Sequence, residues 1–554
     1  MESKTNKQSL MKGAVILSAG VLLSRIIGMV YRIPIRNILT DEGNSYYGVA
    51  YSIYVVILTL TAMAIPGALS KLIAERRAVG AYKEADRVYK LAMVYSIGVA
   101  IIMAFILWFS ADFLEKTYYP TYEVVLPIRA LAPTVVIATS LGVLRGYFQG
   151  QGDMVPTASS QVIEQIVNVI FSVLLAYTFL NLTSGNLEWG ATGSALGTGA
   201  GAIAGLIVLL IIYKKKRPQV KKEMLESVEY EYQSSPAILK EILNMMVPVI
   251  ISASVFSIMT SIDQSMISTR LPDNIDILRE TGRLNLVPVA GAVDLSTKDI
   301  VNNLGAYLSF QYMTFMNIPV SLILQLGLAT VPAIAAAMST GLYKEIRSKI
   351  RLIFKVGLLI AAPSAIAFML FAKPILTLVI GDAKGAEVLA AGSVGIIAMA
   401  LAQLSAGVLQ GMSKQKVPTI NAIIACVIKV IVNIIALSIP SLTIYGFVHS
   451  TTICYVIYAI LNIAYLKKHL DIKFSWKKIL IKPIACAIVM GIIGVLIYNI
   501  LLVIGVPVKI SILIVMPICG VAYFLVGLAT RTITKKDLLS FPGGKKVVAI
   551  FDKM

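Results

Sequence analysis

The chain has 554 residues, of which 57% are hydrophobic and only 14% charged, and its formal net charge is +20. Soluble domains carry roughly 25% charged residues, and here the deficit runs from end to end, which excludes a soluble protein with or without a single anchor. In a soluble chain such a charge would point to nucleic acid; here no nucleic-acid partner is expected, because the lysines and arginines fall in alternate short loops between apolar runs.

Runs of about 20 apolar residues recur along the chain, each long enough to cross a hydrocarbon core of about 30 Å. None alternates every second residue as a barrel strand would. The fold class is therefore all-α and polytopic, with about fourteen transmembrane helices embedded in the lipid bilayer. They are predicted at 13–35, 46–70, 88–112, 124–148, 157–181, 190–213, 240–264, 304–338, 351–372, 386–410, 417–437, 442–465, 480–504 and 508–530. Residues 270–303 read as a long loop, and 373–386 hold a further apolar stretch.

Loop charge sets the orientation. Residues 1–12, 71–90, 214–240, 344–351, 411–418, 466–482 and 531–554 are rich in Lys and Arg, for example Lys214, Lys215, Lys216 and Arg217. The alternate loops 113–123, 182–189 and 438–441 hold Lys116 and nothing else basic. Both termini are expected in the cytoplasm of a bacterial cell, which requires an even number of spans. The polar start Met1–Lys12 carries no cleavable signal, so the first span is read as retained.

Short segments return after about 260 residues. Gly80-Ala-Tyr-Lys-Glu84 reappears as Gly341-Leu-Tyr-Lys-Glu345, and Gly142-Val-Leu-Arg-Gly146 as Gly407-Val-Leu-Gln-Gly411. Val155-Pro-Thr157 returns as Val417-Pro-Thr419, and Glu164-Gln-Ile-Val-Asn168 faces Lys429-Val-Ile-Val-Asn433. Four matches in order describe two pseudo-symmetric lobes of six helices in parallel orientation, an arrangement that places substrate between the lobes. The expected divisions are an N-lobe at 1–213, a basic linker at 214–239, a C-lobe at 240–465, two additional helices within 466–530 and a tail at 531–554.

Several polar side chains fall deep in these spans. Arg25, Arg32 and Arg36 share one face of the first helix, and Arg25 sits near its middle. A mid-membrane arginine faces water or a partner. It either forms an ion pair with Glu164 or Asp263, or belongs to a cationic stripe for an anionic headgroup, which guanidinium groups grip bidentately. Arg36, at the helix end, is equally well placed to snorkel. The fifth span carries Gln161, Glu164, Gln165 and Asn168 at i, i+3, i+4 and i+7, one polar face that either glues helices or lines a cavity. Lys429 lies mid-span in the eleventh helix, Asp263 toward the outer end of the seventh, and Arg129 in the outer third of the fourth. Arg145-Gly-Tyr-Phe-Gln-Gly150, with Pro156, reads as a tight cytoplasmic turn, structural or gating. The deep charges are net positive, the opposite of what a cation exporter needs. Cys426, Cys454, Cys486 and Cys519 lie in apolar runs without CxxC spacing, so neither a metal site nor a disulfide framework is expected. Nothing resembles a Walker loop or a Ser-His-Asp set, so neither ATP hydrolysis nor covalent catalysis is expected.

Ser24-Arg-Ile-Ile-Gly-Met-Val-Tyr-Arg32, Pro66-Gly-Ala-Leu-Ser-Lys71, Leu144-Arg-Gly-Tyr-Phe-Gln-Gly150 and Pro156-Thr-Ala-Ser-Ser-Gln-Val-Ile-Glu-Gln165 resemble a known family. It is the polysaccharide-exporter branch of the multidrug/oligosaccharidyl-lipid/polysaccharide (MOP) flippase superfamily, and within it the MurJ-like group with YtgP and stage V sporulation protein B. The resemblance implies two six-helix lobes plus two extra helices. It also implies transport of an undecaprenyl-pyrophosphate-linked saccharide, lipid II, to the outer leaflet. The family's first-helix arginine falls on Arg25 and its acidic position in the seventh helix resembles Asp263. Its arginine in the eighth helix has no counterpart, since Tyr307–Pro319 holds Gln311 and no charge. Taken together, the substrate-binding candidates are Arg25, Arg32, Arg36, Arg129, Gln161, Gln165 and Lys429, and the coupling or gating candidates are Glu164, Asp263 and Arg145. No cofactor is expected beyond a coupling ion, Na+ or H+. The protein is expected to act as a monomer in the plasma membrane, with cell-wall synthesis enzymes as candidate partners. Another undecaprenyl-linked glycan, a multidrug exporter and a non-transporting scaffold are the alternatives.

Overall fold

The computed structural model describes residues 32–229, 233–324, 343–412, 414–472 and 474–534, with isolated positions between 20 and 28. Among them all regular structure is helical. Ten helices are long and apolar enough to cross a membrane, or eleven when the pair Ala386–Gly392 and Gly395–Gly411, bent by 49°, counts as one span. Most of the predicted first span and the end of the eighth fall outside the described residues. A bilayer offers no water to the backbone, so helices that satisfy their own N–H and C=O groups are the form these sequences can take.

Contacts divide the chain into two compact units. The first comprises residues up to Thr281 together with Asp294–Ala306; the second comprises Gly282–Val293 and everything from Tyr307 onward. The boundary therefore falls near Ala306, beyond the basic segment 214–239 where the sequence suggested it.

In the first unit the helices are α1 (Arg32–Leu58), α2 (Ile65–Ala78), α3 (Tyr82–Tyr118), α4 (Val125–Gly150), α5 (Val155–Leu182), α6 (Leu187–Leu225), α7 (Ser235–Glu280) and α8 (Thr297–Ala306). The backbone of α1 breaks at Thr40 (φ 60°), a conformation most side chains avoid. A π-helical turn, Thr59–Met63, joins α1 to α2. Gly80, at φ +76°, makes the turn from α2 to α3. Helix α4 packs on the α1–α2 run through glycines four residues apart: a methyl group at Gly142 would stand 3.0 Å from the Ala62 carbonyl oxygen, and one at Gly146 3.0 Å from Pro66 Cα. Helices α5 and α6 approach more closely still. Gly193, Gly197, Gly201 and Gly205 lay one stripe of α6 against the α5 backbone, and a methyl at Gly201 would stand 2.6 Å from the Glu164 carbonyl oxygen. Small residues at such spacing let helix backbones meet where lipid supplies no hydrophobic drive.

Three expectations change here. The predicted loop 270–303 is mostly helix, because α7 runs on to Glu280 and α8 starts at Thr297. Ile267, Leu271, Ile275 and Leu278 form the buried stripe that continues α7, a helical period masked by polar neighbours. The segment after Lys214 is likewise helix as far as Leu225, not an open linker. Arg145 lies within α4; the turn is Gln151–Met154, with Gly152 at φ +79°.

The second unit holds a π-helical turn at Tyr307–Tyr312 and a helix at 313–324. There follow α9 (Tyr343–Val379), α10 (Ala386–Gly392), α11 (Gly395–Gly411), α12 (Lys416–Leu437), α13 (Tyr445–Leu470), α14 (Lys482–Val503) and α15 (Val508–Ala529). Helix α9 takes up the apolar stretch after 372 and is kinked at Phe371, three residues before Pro374, whose ring cannot continue a straight helix. A π-helical turn, Lys477–Ile481, precedes α14.

Candidate functional site

The polar face of α5 is built as its spacing requires. Glu164 Oε2 accepts a hydrogen bond from Arg145 Nη2 of α4 at 2.5 Å, and Arg145 Nε donates to Ser160 Oγ at 3.1 Å. Ser160 Oγ in turn donates to the Thr157 carbonyl at 2.9 Å. The α4–α5 hairpin, turned at Gln151–Met154, sets the register that brings Arg145 opposite Glu164. The pair is partly buried, at 16% and 31% exposure. Glu164 thus has a cationic partner that sequence reading did not assign to it. On the same face Gln161 Oε1 is buried without a partner among the described residues. Two positions of the first span flank Arg25 and lie against this helix: a methyl at Gly20 would stand 2.9 Å from Ala158 Cβ, and one at Gly28 3.0 Å from Gln165 Nε2. Asn168 accepts from Ser172 Oγ at 2.7 Å, one turn on. Asn168 abuts α6 at Gly201, while Gln165 lies against Gly28 of the first span.

Of the other candidates in the first unit, Arg36 and Arg129 are paired elsewhere. Arg25 and the side chain of Arg32 lie outside the described residues. Arg36 is held bidentately by Asp41 at 2.7 and 3.0 Å across the break in α1. Arg129 Nη2 pairs with Asp112 Oδ2 of α3 at 2.5 Å, both partly exposed. Asp263 is fully buried in the middle of α7, not near a helix end, and Gln264 is buried beside it. Lys429 is fully buried in α12 of the second unit. One turn along, Asn433 accepts a hydrogen bond from Ser450 of α13, and nearby Asn421 Nδ2 donates to Asn462 Oδ1 at 2.8 Å. Gln311, in the π-helical turn, is buried, and neither end of its amide has a partner among the described residues.

A second polar cluster in the first unit escaped sequence reading. Glu42 Oε1 accepts from Tyr46 Oη at 2.6 Å and from Asn302 Nδ2 of α8 at 3.1 Å. Asn44 Nδ2 donates to the Thr40 carbonyl at 2.7 Å, and Tyr122 packs edge-on against Tyr46. Only the sequence Asp41-Glu42, acidic just beyond an apolar span, hinted at it.

The basic end of the first unit is a lattice of ion pairs. Asp86 takes both Arg217 and Lys90, Lys216 pairs with Asp153, and Arg77 reaches Glu223 at 2.9 Å. Arg76, only 2% exposed, binds Glu241 at 2.8 Å and Gln233 at 2.9 Å.

Comparison with known proteins places this architecture. A family model described as polysaccharide biosynthesis protein matches residues 10–338, and one described as MatE matches 303–435. The lipid II flippase MurJ of Bacillus subtilis is 24% identical over 499 residues, 88% of this chain and 87% of that protein. Stage V sporulation protein B of the same organism is 24% identical over 473 residues, 85% of this chain and 86% of that protein. Among solved structures, a lipid II flippase MurJ in its inward closed conformation superposes with a TM-score of 0.65 at 14% identity, covering 93% of this chain and 99% of that one. A multidrug-resistance MATE transporter of the MOP superfamily in its inward-facing conformation gives a TM-score of 0.64 at 16% identity, covering 83% and 98%.

Proposed function

The chain belongs to the polysaccharide biosynthesis protein family, within the MOP flippase group, and from that premise we propose that it moves a lipid-linked cell-wall precursor, lipid II, from the inner to the outer leaflet by alternating access. The observation that carries this reading is the similarity to the lipid II flippase MurJ of Bacillus subtilis, which runs over 88% of this chain and 87% of that protein. Lys429, fully buried in α12, is in keeping with it: ionisable residues inside a membrane mark substrate paths, and a cation has the sign an anionic pyrophosphate headgroup calls for. In the first unit Arg145 sits at the end of a polar face with Gln161 and Gln165, groups suited to saccharide hydroxyls. This chain is read as a transporter rather than an enzyme.

With basic loops in the cytoplasm, an inside-negative potential favours outward movement of net negative charge by about 2.3 kcal/mol per charge per 100 mV. Glu164 and Asp263 are the proposed sites of proton or sodium coupling, or of gating. The MatE match over 303–435 favours a second reading, a multidrug exporter. The net-positive deep charge weighs against cationic drugs as its cargo.

The test is complementation of a bacterium depleted of its lipid II flippase, with outer-leaflet lipid II as the readout. Restored lipid II is expected; growth failure with unchanged lipid II would redirect the reading to another undecaprenyl-linked glycan. Orientation is tested separately by single cysteines and an impermeant thiol reagent in intact cells. Cys454, Cys486 and Cys519 are buried and Cys426 is half-buried, which keeps the background low. A cysteine at Gly80 should be shielded and one at Asn186 should label. Asn274 is buried within α7 and is unsuitable as a reporter.

A further inference from the structure

On the second unit, α11, α13 and the π-helical turn before α14 enclose a groove of about 350 Å³. Its walls are Leu401, Val456, Ile460, Ile463 and Leu480, with Ala398, Ala459 and Ala464 keeping it open. The lining is apolar except at one end, where Lys467 and Trp476 stand together, the lysine Nζ 5.9 Å from the indole centroid. Trp476 stacks on Phe474 at 5.3 Å. Lys468, Lys477 and Lys478 are exposed in the same short segment, with Asp471 the only acid there.

The first unit makes a useful contrast. At its basic end Arg76, Arg77, Lys216 and Arg217 are paired with Glu241, Glu223, Asp153 and Asp86. Lys467, Lys468, Lys477 and Lys478 make no ion pair among the described residues. Tryptophan marks the headgroup level of a bilayer, and lysines just beyond an apolar surface attract anionic lipid. The groove's volume is at the small end of ligand pockets, which span roughly 300–1,000 Å³: room for a hydrocarbon chain but not for a headgroup as well.

We infer that this groove is a binding site for an anionic phospholipid. One acyl chain lies along α11 and α13, and the phosphate is held at the mouth by Lys467, with Lys477 and Lys478 beside it and Trp476 packed against the glycerol level. The site is independent of what the protein transports. Charge complementarity selects the anionic headgroup over phosphatidylcholine, and the alanine floor suits an unbranched chain better than a methyl-branched isoprenoid.

The test is lipid binding to the purified full-length protein, with phosphatidylglycerol and phosphatidylcholine as probes and native mass spectrometry as the readout. Phosphatidylglycerol should bind more tightly by at least about fivefold, the contribution of one lysine near an anionic surface. Lys467→Ala with Lys477→Ala and Lys478→Ala should abolish the preference. Because these side chains are exposed, the variant is expected to fold, which thermal unfolding checks. Ala464→Trp should fill the groove and weaken both lipids while leaving the lysines in place. Should that variant misfold, Ile460→Trp, on the exposed wall, gives the same reading. Equal binding of the two lipids, or an undiminished preference with the groove filled, would overturn the assignment. So would displacement of phosphatidylglycerol by an equal concentration of undecaprenyl phosphate, which would give the groove to the isoprenoid carrier.

Discussion

Where the first half of the chain carries Arg145 and Glu164, joined in an ion pair, the second half carries Gln410 and Lys429 at the same places in the repeat. The hairpin is kept and its electrostatics are inverted. In one half an acid and a base cancel each other within a polar face. In the other the base position is neutral and exposed, and the acid position has become a fully buried cation. The same helix pair is also joined by different means. Helix α6 meets α5 backbone to backbone through glycines, whereas α12 and α13 are tied by side chains, Asn433 to Ser450 and Asn421 to Asn462, with Gly446 close to Ala436. A duplicated scaffold can thus keep its topology while one copy joins its helices backbone to backbone around a neutralised pair and the other ties them by side chains beside a buried lysine.

The harshest way to break this comparison is at the glycine stripe. In Gly201→Leu the new side chain meets the α5 backbone, which cannot rotate away as a side chain would. Folded protein in the membrane should fall to near zero, as judged by protein level and protease resistance. Gly98→Ala, at a position with nothing within 4 Å, should leave both unchanged. Normal levels of Gly201→Leu would mean that α5 and α6 are not joined through their backbones.

Next in size is the ion pair itself. Arg145→Ala or Glu164→Ala alone strands one partly buried charge and should cost about 3 kcal/mol, the lower end for breaking a buried pair. The double variant should recover much of that loss, measured by detergent-titrated unfolding. Additive losses in the double variant would show that each residue acts with other partners. Lys429 should respond differently. Lys429→Met keeps the length and removes the charge of a fully buried side chain, so transport is read per folded protein. Transport should fall at least about tenfold, the loss of one hydrogen bond to a charged group at about 1.5–3 kcal/mol. Unchanged transport would remove Lys429 from the substrate path and reduce the contrast between the halves to packing.

How much of this was legible in the sequence depends on what each side chain faces. Helices α3 to α6 match the spans predicted for them to within one residue or enclose them, because residues such as Ile102, Phe105 and Phe109 face outward and are apolar whatever packs behind them. The end of α7 was misread because only one face of it is buried against protein: Arg270, Asp273 and Asp276 on the exposed face, with Asn274, spoil its hydropathy while Ile267, Leu271, Ile275 and Leu278 keep the helical period. The polar face of α5 could be read from spacing alone. Its pairing with Arg145 could not, since that depends on how long the α4–α5 turn is. The Arg36–Asp41 pair was hidden for another reason. It rests on a backbone break at Thr40, and a positive φ at a residue other than glycine leaves no mark in the sequence.

The smallest expected effect tests the other side of the comparison, the side-chain ties of α12 and α13. Asn433 and Ser450 are both buried and hydrogen-bonded to each other. In water-soluble cores the loss of such a partner is expensive, but inside membranes interhelical hydrogen bonds average only about 0.6 kcal/mol, because the unfolded helix also finds partners. Asn433→Ala should therefore shift unfolding by about that much, several-fold less than either single variant of the Arg145–Glu164 pair. Asn421→Ala should behave similarly, since it removes the donor to Asn462. If either approached the cost of Arg145→Ala, the side-chain ties of α12 and α13 would carry as much stability as the ion pair of the first half, and the contrast between the two copies would fail. If both are mild while Lys429→Met still abolishes transport, the polar groups of α12 serve the cargo more than the fold.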